Sequence, residues 1–242
     1  MTKTKPANPN DPRGPSPPGT DPLDFRSELP KAPWEMFSQE ARALGVELGQ
    51  GCIFRFARYL EELQHWNCTV RLVSRAEAQQ VLWLHFLDSL ALVCLLEGEG
   101  PLLDVGSGAG FPGIPVKLAR PEMEVHLVEA RRRKANFLRH MVRALSLEGV
   151  WVHQGRVGRG GLELGGFPLV VARAVAEPLV WLQLAQGLVA RDGSLFLMLG
   201  HRQETKELRL SLRQLGWDLA QRRDYVLPVV ERRRSILVLK RS

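Results

Sequence analysis

The sequence has only three cysteines in 242 residues. Cys52, Cys68 and Cys94 form no Cys-x-x-Cys pair, and no histidine cluster stands at metal-ligand spacing, which argues against a zinc site and a disulfide framework. There is no run of about 18 apolar residues, and the Pro-rich, polar amino terminus has no apolar stretch for a signal peptide. The chain therefore reads as soluble and cytoplasmic, without membrane or metal. No heptad or second core suggests more than a monomer. Lysine is scarce as well: of 33 Lys plus Arg, only seven are Lys. The surplus over 26 Asp plus Glu gives a net charge of +7, and arginine suits planar, bidentate contact with phosphate and guanine edges. Codon usage that favours arginine produces the same balance, so charge alone leaves nucleic acid open.

What is present is ordinary for a globular chain: 45% hydrophobic and 24% charged residues, which excludes a wholly disordered or collagen-like protein. Nine of the 16 prolines fall within positions 1–33, and that segment is expected to be a disordered tail. A helical cap follows over 34–96, from a stretch at Trp34 to Leu48, a helix from Cys52, and a largely apolar helix from about Ala76 to Leu96. From 97 to 242 short apolar runs alternate with helical segments, which predicts an α/β fold with a mostly parallel sheet. The expected strands are Pro101 to Val105, Glu124 to Glu129, Val150 to Gln154, Leu169 to Val171 and Ser194 to Leu199. Helices are expected over 113–119, 131–146, 177–190 and 203–215. Trp217 to Leu227 and Arg232 to Leu239 have no helix between them, so they predict an antiparallel carboxyl-terminal edge.

The most informative stretch runs from Asp104 to Pro115, after an apolar strand and before a helix. Gly106, Gly108 and Gly110 alternate, which lets the backbone turn tightly and approach a ligand beside a helix N-terminus. A dinucleotide fingerprint, Gly-x-Gly-x-x-Gly, is met formally from Gly108, but it starts two residues late and puts Pro112 inside the turn. The acidic-x-Gly-x-Gly-x-Gly register resembles the first motif of class I S-adenosylmethionine-dependent methyltransferases. Glu129, at the end of the second strand, is placed to accept from two ribose hydroxyls.

Further residues narrow the resemblance. The loop through Phe111-Pro112-Gly113-Ile114-Pro115, His85-Phe86-Leu87-Asp88-Ser89-Leu90 upstream of it, Ala172-Arg173-Ala174, Arg133-Lys134-Ala135-Asn136-Phe137-Leu138 and Trp66-Asn67 together resemble the RsmG (GidB) family. That family comprises bacterial small-subunit ribosomal RNA guanine-N7 methyltransferases, and the likeness covers about positions 50–242. It implies a Rossmann-like, seven-stranded sheet with S-adenosylmethionine as methyl donor, and 16S ribosomal RNA or the small ribosomal subunit as partner. It places the donor site on Asp104, Gly106, Gly108, Gly110, Phe111, Val157, Gly158 and Arg173, with Glu129 at the ribose. His85 and Asp88, at i and i+3 on one helix face, are expected to act in catalysis with Arg173 and Arg156.

Two signatures of other nucleic-acid methylations are missing. No carboxamide or carboxylate with an aromatic follows the fourth strand, as exocyclic amine methylation usually needs, and all cysteines precede the first strand, which leaves no nucleophile for pyrimidine carbon. Guanine N7 has an in-plane lone pair and no proton, so it needs alignment rather than a base. Arg131, Arg132, Arg133, Lys134 and Arg139 (with Arg143), and a second cluster of Arg222, Arg223, Arg232, Arg233 and Arg234, are candidates for RNA phosphate. The chain departs from the family pattern in four places. Val70-Arg71-Leu72-Val73-Ser74 stands for Asn-Leu-Thr after the Trp-Asn, Gly158 for a glutamate, Pro168 for an aspartate and Leu199 for a lysine. The competing reading is an RNA-binding or assembly protein that keeps a donor pocket with lost or altered transfer.

Overall fold

The computed structural model describes residues 31–74, 80–98, 100–158, 160–173, 178–200 and 211–242. Two helices, α1 (Lys31–Ala43) and α2 (Gln50–Asn67), precede a π-helical run at Leu82–Leu87 that passes directly into the single turn α3 (Asp88–Leu90). The first turn of α1 takes in Lys31 to Pro33, which the sequence division put in the tail; the rest of that tail lies outside the described residues. The apolar helix expected over 76–96 is thus broken. Its start, 75–79, is outside the described residues, its middle is wound with the wider π pitch, and it closes on a 3-10 turn at Val93–Leu95.

Seven strands follow in the order β3-β2-β1-β4-β5-β7-β6. They are β1 (Leu102–Val105), β2 (Val125–Glu129), β3 (Val150–Gln154), β4 (Phe167–Arg173), β5 (Val189–Gly200), β6 (Trp217–Leu227) and β7 (Arg232–Arg241). β1 to β5 are parallel, and β7 pairs antiparallel with both β5 and β6. The intervening helices are α4 (Gly113–Ala119), α5 (Arg132–Ala144) and α6 (Pro178–Ala185). Of the helix expected over 203–215, the described part at 211–214 is helical.

Alternation along the central strands builds two cores. Leu102, Val125, Leu127, Leu169 and Val171 face one layer, while Leu103, Val128, Val170 and Ala172 face the other. This is why the strands read as continuous apolar runs: a parallel sheet is covered on both sides. The cap does not bury itself. Phe37, Phe56, Tyr59 and Phe86 form a ring cluster continuous with the first of these cores, so the cap and the sheet share one interior.

β5 begins earlier than expected, at Val189, and α6 ends at Ala185. Asp192 and Gly193 sit in an extended segment where the pairing with β4 shifts register between Phe167 and Leu169. No helix of the described residues is long and apolar enough to cross a membrane.

Candidate active site

The sheet order reverses between β1 and β4, and the crevice beyond the carboxyl ends of these strands is where open α/β sheets bind ligands. The loop after β1 carries Gly106, Gly108 and Gly110, with φ of 78°, 58° and 95°. All three lie in the left-handed region that favours glycine. The amides of Gly106 and Ser107 both donate to the Val128 carbonyl, which ties the loop to β2. A Cβ on Gly110 would lie 2.6 Å from both Tyr59 Oη and Ile114 Cδ1, whereas one on Gly106 would meet nothing within 4 Å. Gly110 is therefore a packing requirement, and Gly106 borders open space.

Asp104 lies beneath this loop, fully buried. Its Oδ2 accepts from the Gly113 amide at 3.0 Å, and Oδ1 has no hydrogen-bond partner. Burial pushes its pKa up to about 7, against the pull of the Gly113 amide and the Ser107 hydroxyl. It holds the loop and does not line the cavity, so its expected place in the donor site becomes an anchoring one. Glu129 is also buried. Its Oε2 accepts from Gly108 N–H at 3.0 Å and its Oε1 from Arg131 N–H at 2.7 Å. One carboxylate thus joins the glycine loop to the start of α5, with lone pairs left over for a ligand hydroxyl.

Beside the loop lies a cavity of about 380 Å³. Gly106, Gly108, Phe111, His85 and Arg173 are on its wall, as are Arg71, Arg131 and Lys134. Arg173, the last residue of β4, reaches back to the cap: Nη1 donates to Asp88 Oδ2 at 3.3 Å and Nη2 to His85 Nδ1 at 2.9 Å. Its guanidinium lies 5.1 Å from the centre of the Phe111 ring, and the His85 ring stacks on the same Phe111 at 4.8 Å and 9°.

Arginine has no acceptor atom, so His85 must offer it the lone pair of Nδ1 and carry its own proton on Nε2. Burial, then the charges of Arg173 and Arg234, lower the His85 pKa to about 3. The imidazole is neutral, and its Nε2–H is buried without a partner among the described residues. Asp88 is 4% exposed and also takes Tyr225 Oη at 2.7 Å, with Arg234 Nε at 3.4 Å. Burial and the Asp88 carboxylate raise the Tyr225 pKa, so this phenol stays a hydrogen donor. Asp88 therefore does not enter the cavity, and the role left to it is to hold Arg173.

The remaining sequence candidates scatter. Arg156 is exposed and away from the cavity wall; its carbonyl accepts from Leu162 N–H. Val157 packs toward the second core, and a Cβ on Gly158 would meet Leu184 Cδ1 at 2.7 Å. Arg131, just before α5, and Lys134 in its first turn reach the cavity, while exposed Arg132 and Arg133 do not, and Arg139 bonds Asn136. The carboxyl-terminal arginine cluster divides. Arg234 turns inward to Asp88, Arg223 donates to the carbonyls of Ala91 and Leu44, and Arg222 bonds Asp224. Leu199 is buried in the second core, away from the cavity wall. Sequence reasoning did not single out Tyr225 or Arg71 as site residues. Arg71 entered only within the segment that departs from the family's Asn-Leu-Thr, and Tyr225 meets Asp88 across 137 positions of chain.

Known proteins bear on the fold and the family. In fold, the chain is similar to an S-adenosylmethionine-dependent methyltransferase from Aquifex aeolicus, with a TM-score of 0.53 at 17% identity over 68% of this chain and 95% of that one. It is similarly close to M. jannaschii TYW2 in complex with AdoMet, at 0.53, 14% identity, and 72% and 80% coverage. By sequence it is 38% identical to the ribosomal RNA small subunit methyltransferase G of Roseiflexus sp. (strain RS-1), over 85% of this chain and 91% of that relative. Against the protein of the same name from Myxococcus xanthus (strain DK1622) it is 36% identical, over 83% and 94%. The family model described as rRNA small subunit methyltransferase G matches residues 53–236. With the glycine loop, the reversal of strand order and these matches in agreement, the chain belongs to the rRNA small subunit methyltransferase G family.

Proposed function

We propose that this protein transfers a methyl group from S-adenosylmethionine to N7 of a guanine in 16S ribosomal RNA, acting as a cytoplasmic monomer. The observation that carries the reading is Arg173 on the same cavity wall as an open glycine turn, with no base among the described lining residues free to take a proton. The donor supplies a methyl group activated by a positive sulfur, and the residues present suit it. Gly106 leaves space for close approach, Glu129 offers acceptors at the end of β2, and the buried Nε2–H of His85 is an unmatched donor on the wall.

The chain's own contribution is then alignment and electrostatics. The lone pair of His85 is committed to Arg173, and the Asp88 carboxylate to Arg173, Tyr225 and Arg234. Neither can act as general base, which suits an N7 atom that has no proton to lose. Arg173, held by both, is the cation available to the O6 edge of guanine or to phosphate. The test is incubation of the protein with donor and small-subunit ribosomal RNA from a strain lacking this modification, followed by chemical cleavage at the methylated base. N7-methylguanine is the expected product. Methylation on another atom contradicts the reading, and RNA binding with no methyl transfer favours an assembly protein instead.

A further inference from the structure

The cavity wall carries Arg71, Arg131, Lys134 and Arg173, and among the described residues no carboxylate lines it. Of the described acids close by, Asp88 is already paired with Arg173, Arg234 and Tyr225, and Glu129, held by two backbone amides, is a single negative charge against these cations. S-adenosylmethionine itself carries one more positive than negative charge, so a cavity built for it alone has no use for this surplus of cations. Arg131 and Lys134 are also at the wrong end of α5 for stability. Cations belong near a helix C-terminus, and the first turn of α5 contains no acidic residue. Arg71 faces the same space from the loop after α2, is exposed, and forms no ion pair among the described residues.

We propose that Arg71, together with Arg131 and Lys134, binds the backbone phosphate of the RNA nucleotide whose guanine is presented to the donor. The inference rests on the methyl-transfer reading and gives that site its substrate-anchoring residue. A phosphate there neutralises the cations crowded at the start of α5 and accepts from its free amides. It also fixes the nucleotide from its backbone side while the base turns into the cavity, as a base leaving its stack requires. Arg71 comes from the cap and the other two from the sheet domain, so the phosphate is gripped from both sides of the opening.

The test uses the full chain and a guanine-containing hairpin of small-subunit ribosomal RNA, titrated at several salt concentrations. Arg71→Ala is expected to weaken RNA binding about tenfold at low salt and to reduce the slope of log affinity against log salt by about one. Arg71→Lys keeps the slope. Arg241→Ala removes the same charge at the opposite end of the sheet and leaves the slope unchanged. Calorimetric donor binding without RNA is not weakened in Arg71→Ala, which separates a lost phosphate contact from a damaged cavity. An unchanged slope in Arg71→Ala, with wild-type binding steeply salt-dependent, overturns the inference and leaves methyl transfer standing. A wild-type protein that binds no RNA overturns both.

Discussion

The charges beneath the cavity and those at its mouth are held in opposite ways. Arg173 has a carboxylate on one guanidinium nitrogen, an imidazole on another and an aromatic ring nearby, all in the interior. Arg71, Arg131 and Lys134 have no ion-pair partner among the described residues; the two arginines are exposed and Lys134 is half-buried. A largely enclosed cation with this many partners has one position, and replacing any partner strands the others. Exposed, unpaired cations cost little to remove and contribute through long-range attraction that salt screens. The inner group therefore suits alignment of the reacting base, and the outer group suits capture of the nucleic acid.

The largest effect should come from the centre of the inner group. Asp88→Ala leaves the part-buried Arg173 and Arg234 without their counter-charge and is expected to cost about 3 kcal/mol in urea unfolding. A loss no greater than that of an exposed rim residue, within about 0.5 kcal/mol, would erase the distinction.

Next are the glycines, which separate packing from access within one loop. Gly110→Ala adds a methyl where Tyr59 and Ile114 already stand, at a φ of 95°, and is expected to lose about 1–3 kcal/mol. Gly106→Ala pays only the left-handed backbone, about 1 kcal/mol, but its methyl points into open space beside the ligand, so donor affinity falls. Equal donor affinity in folded Gly106→Ala and wild type would mean that the open space is not the donor's.

The last effect is spread over pH and is read as a slope, not as a loss at one pH. Asp104 titrates near 7 when folded against about 4 when unfolded, because burial favours its neutral form. Between those values the folded state holds the extra proton. Stability from this group is thus full below pH 4 and is lost as pH rises through 7. His85 runs the other way: its neutral form is favoured, so its contribution is present above its ordinary pKa of 6.5 and is lost as pH falls toward 3. Asp104→Asn keeps an acceptor for Gly113 and removes the first dependence. Unfolding measured from pH 4 to 8 should then lose less stability on the alkaline side than wild type; an identical profile would mean Asp104 does not titrate there.

The sequence made some of this legible and hid the rest for physical reasons. β1, β2 and β3 are short apolar runs next to turn residues, and the glycine loop announces itself because its three left-handed positions admit little else. Asp104 and Glu129 were visible as acids at the ends of strands, but whether each faces a ligand or a backbone amide depends on the path of the loop between them. His85 and Asp88 were visible as a pair, and their attachment to Arg173 was not, since those contacts span 88 and 85 positions. Arginine clusters were read as uniform surfaces, yet adjacent residues on a strand point to opposite faces, which is how Arg234 comes to lie against Asp88 while Arg233 stays exposed. Arg71 showed only as part of a departure from the family's Asn-Leu-Thr, because a lone cation in a loop has no periodicity to reveal what it faces.

The division between alignment and capture is tested most directly by single-turnover methyl transfer at saturating donor and RNA. Arg71→Ala should reach the wild-type rate once enough RNA is added, because it has lost only affinity, whereas Arg173→Ala should remain at least about a hundredfold slow at any concentration, having lost alignment. Recovery of Arg173→Ala at high RNA, or a fixed deficit in Arg71→Ala, would contradict the account.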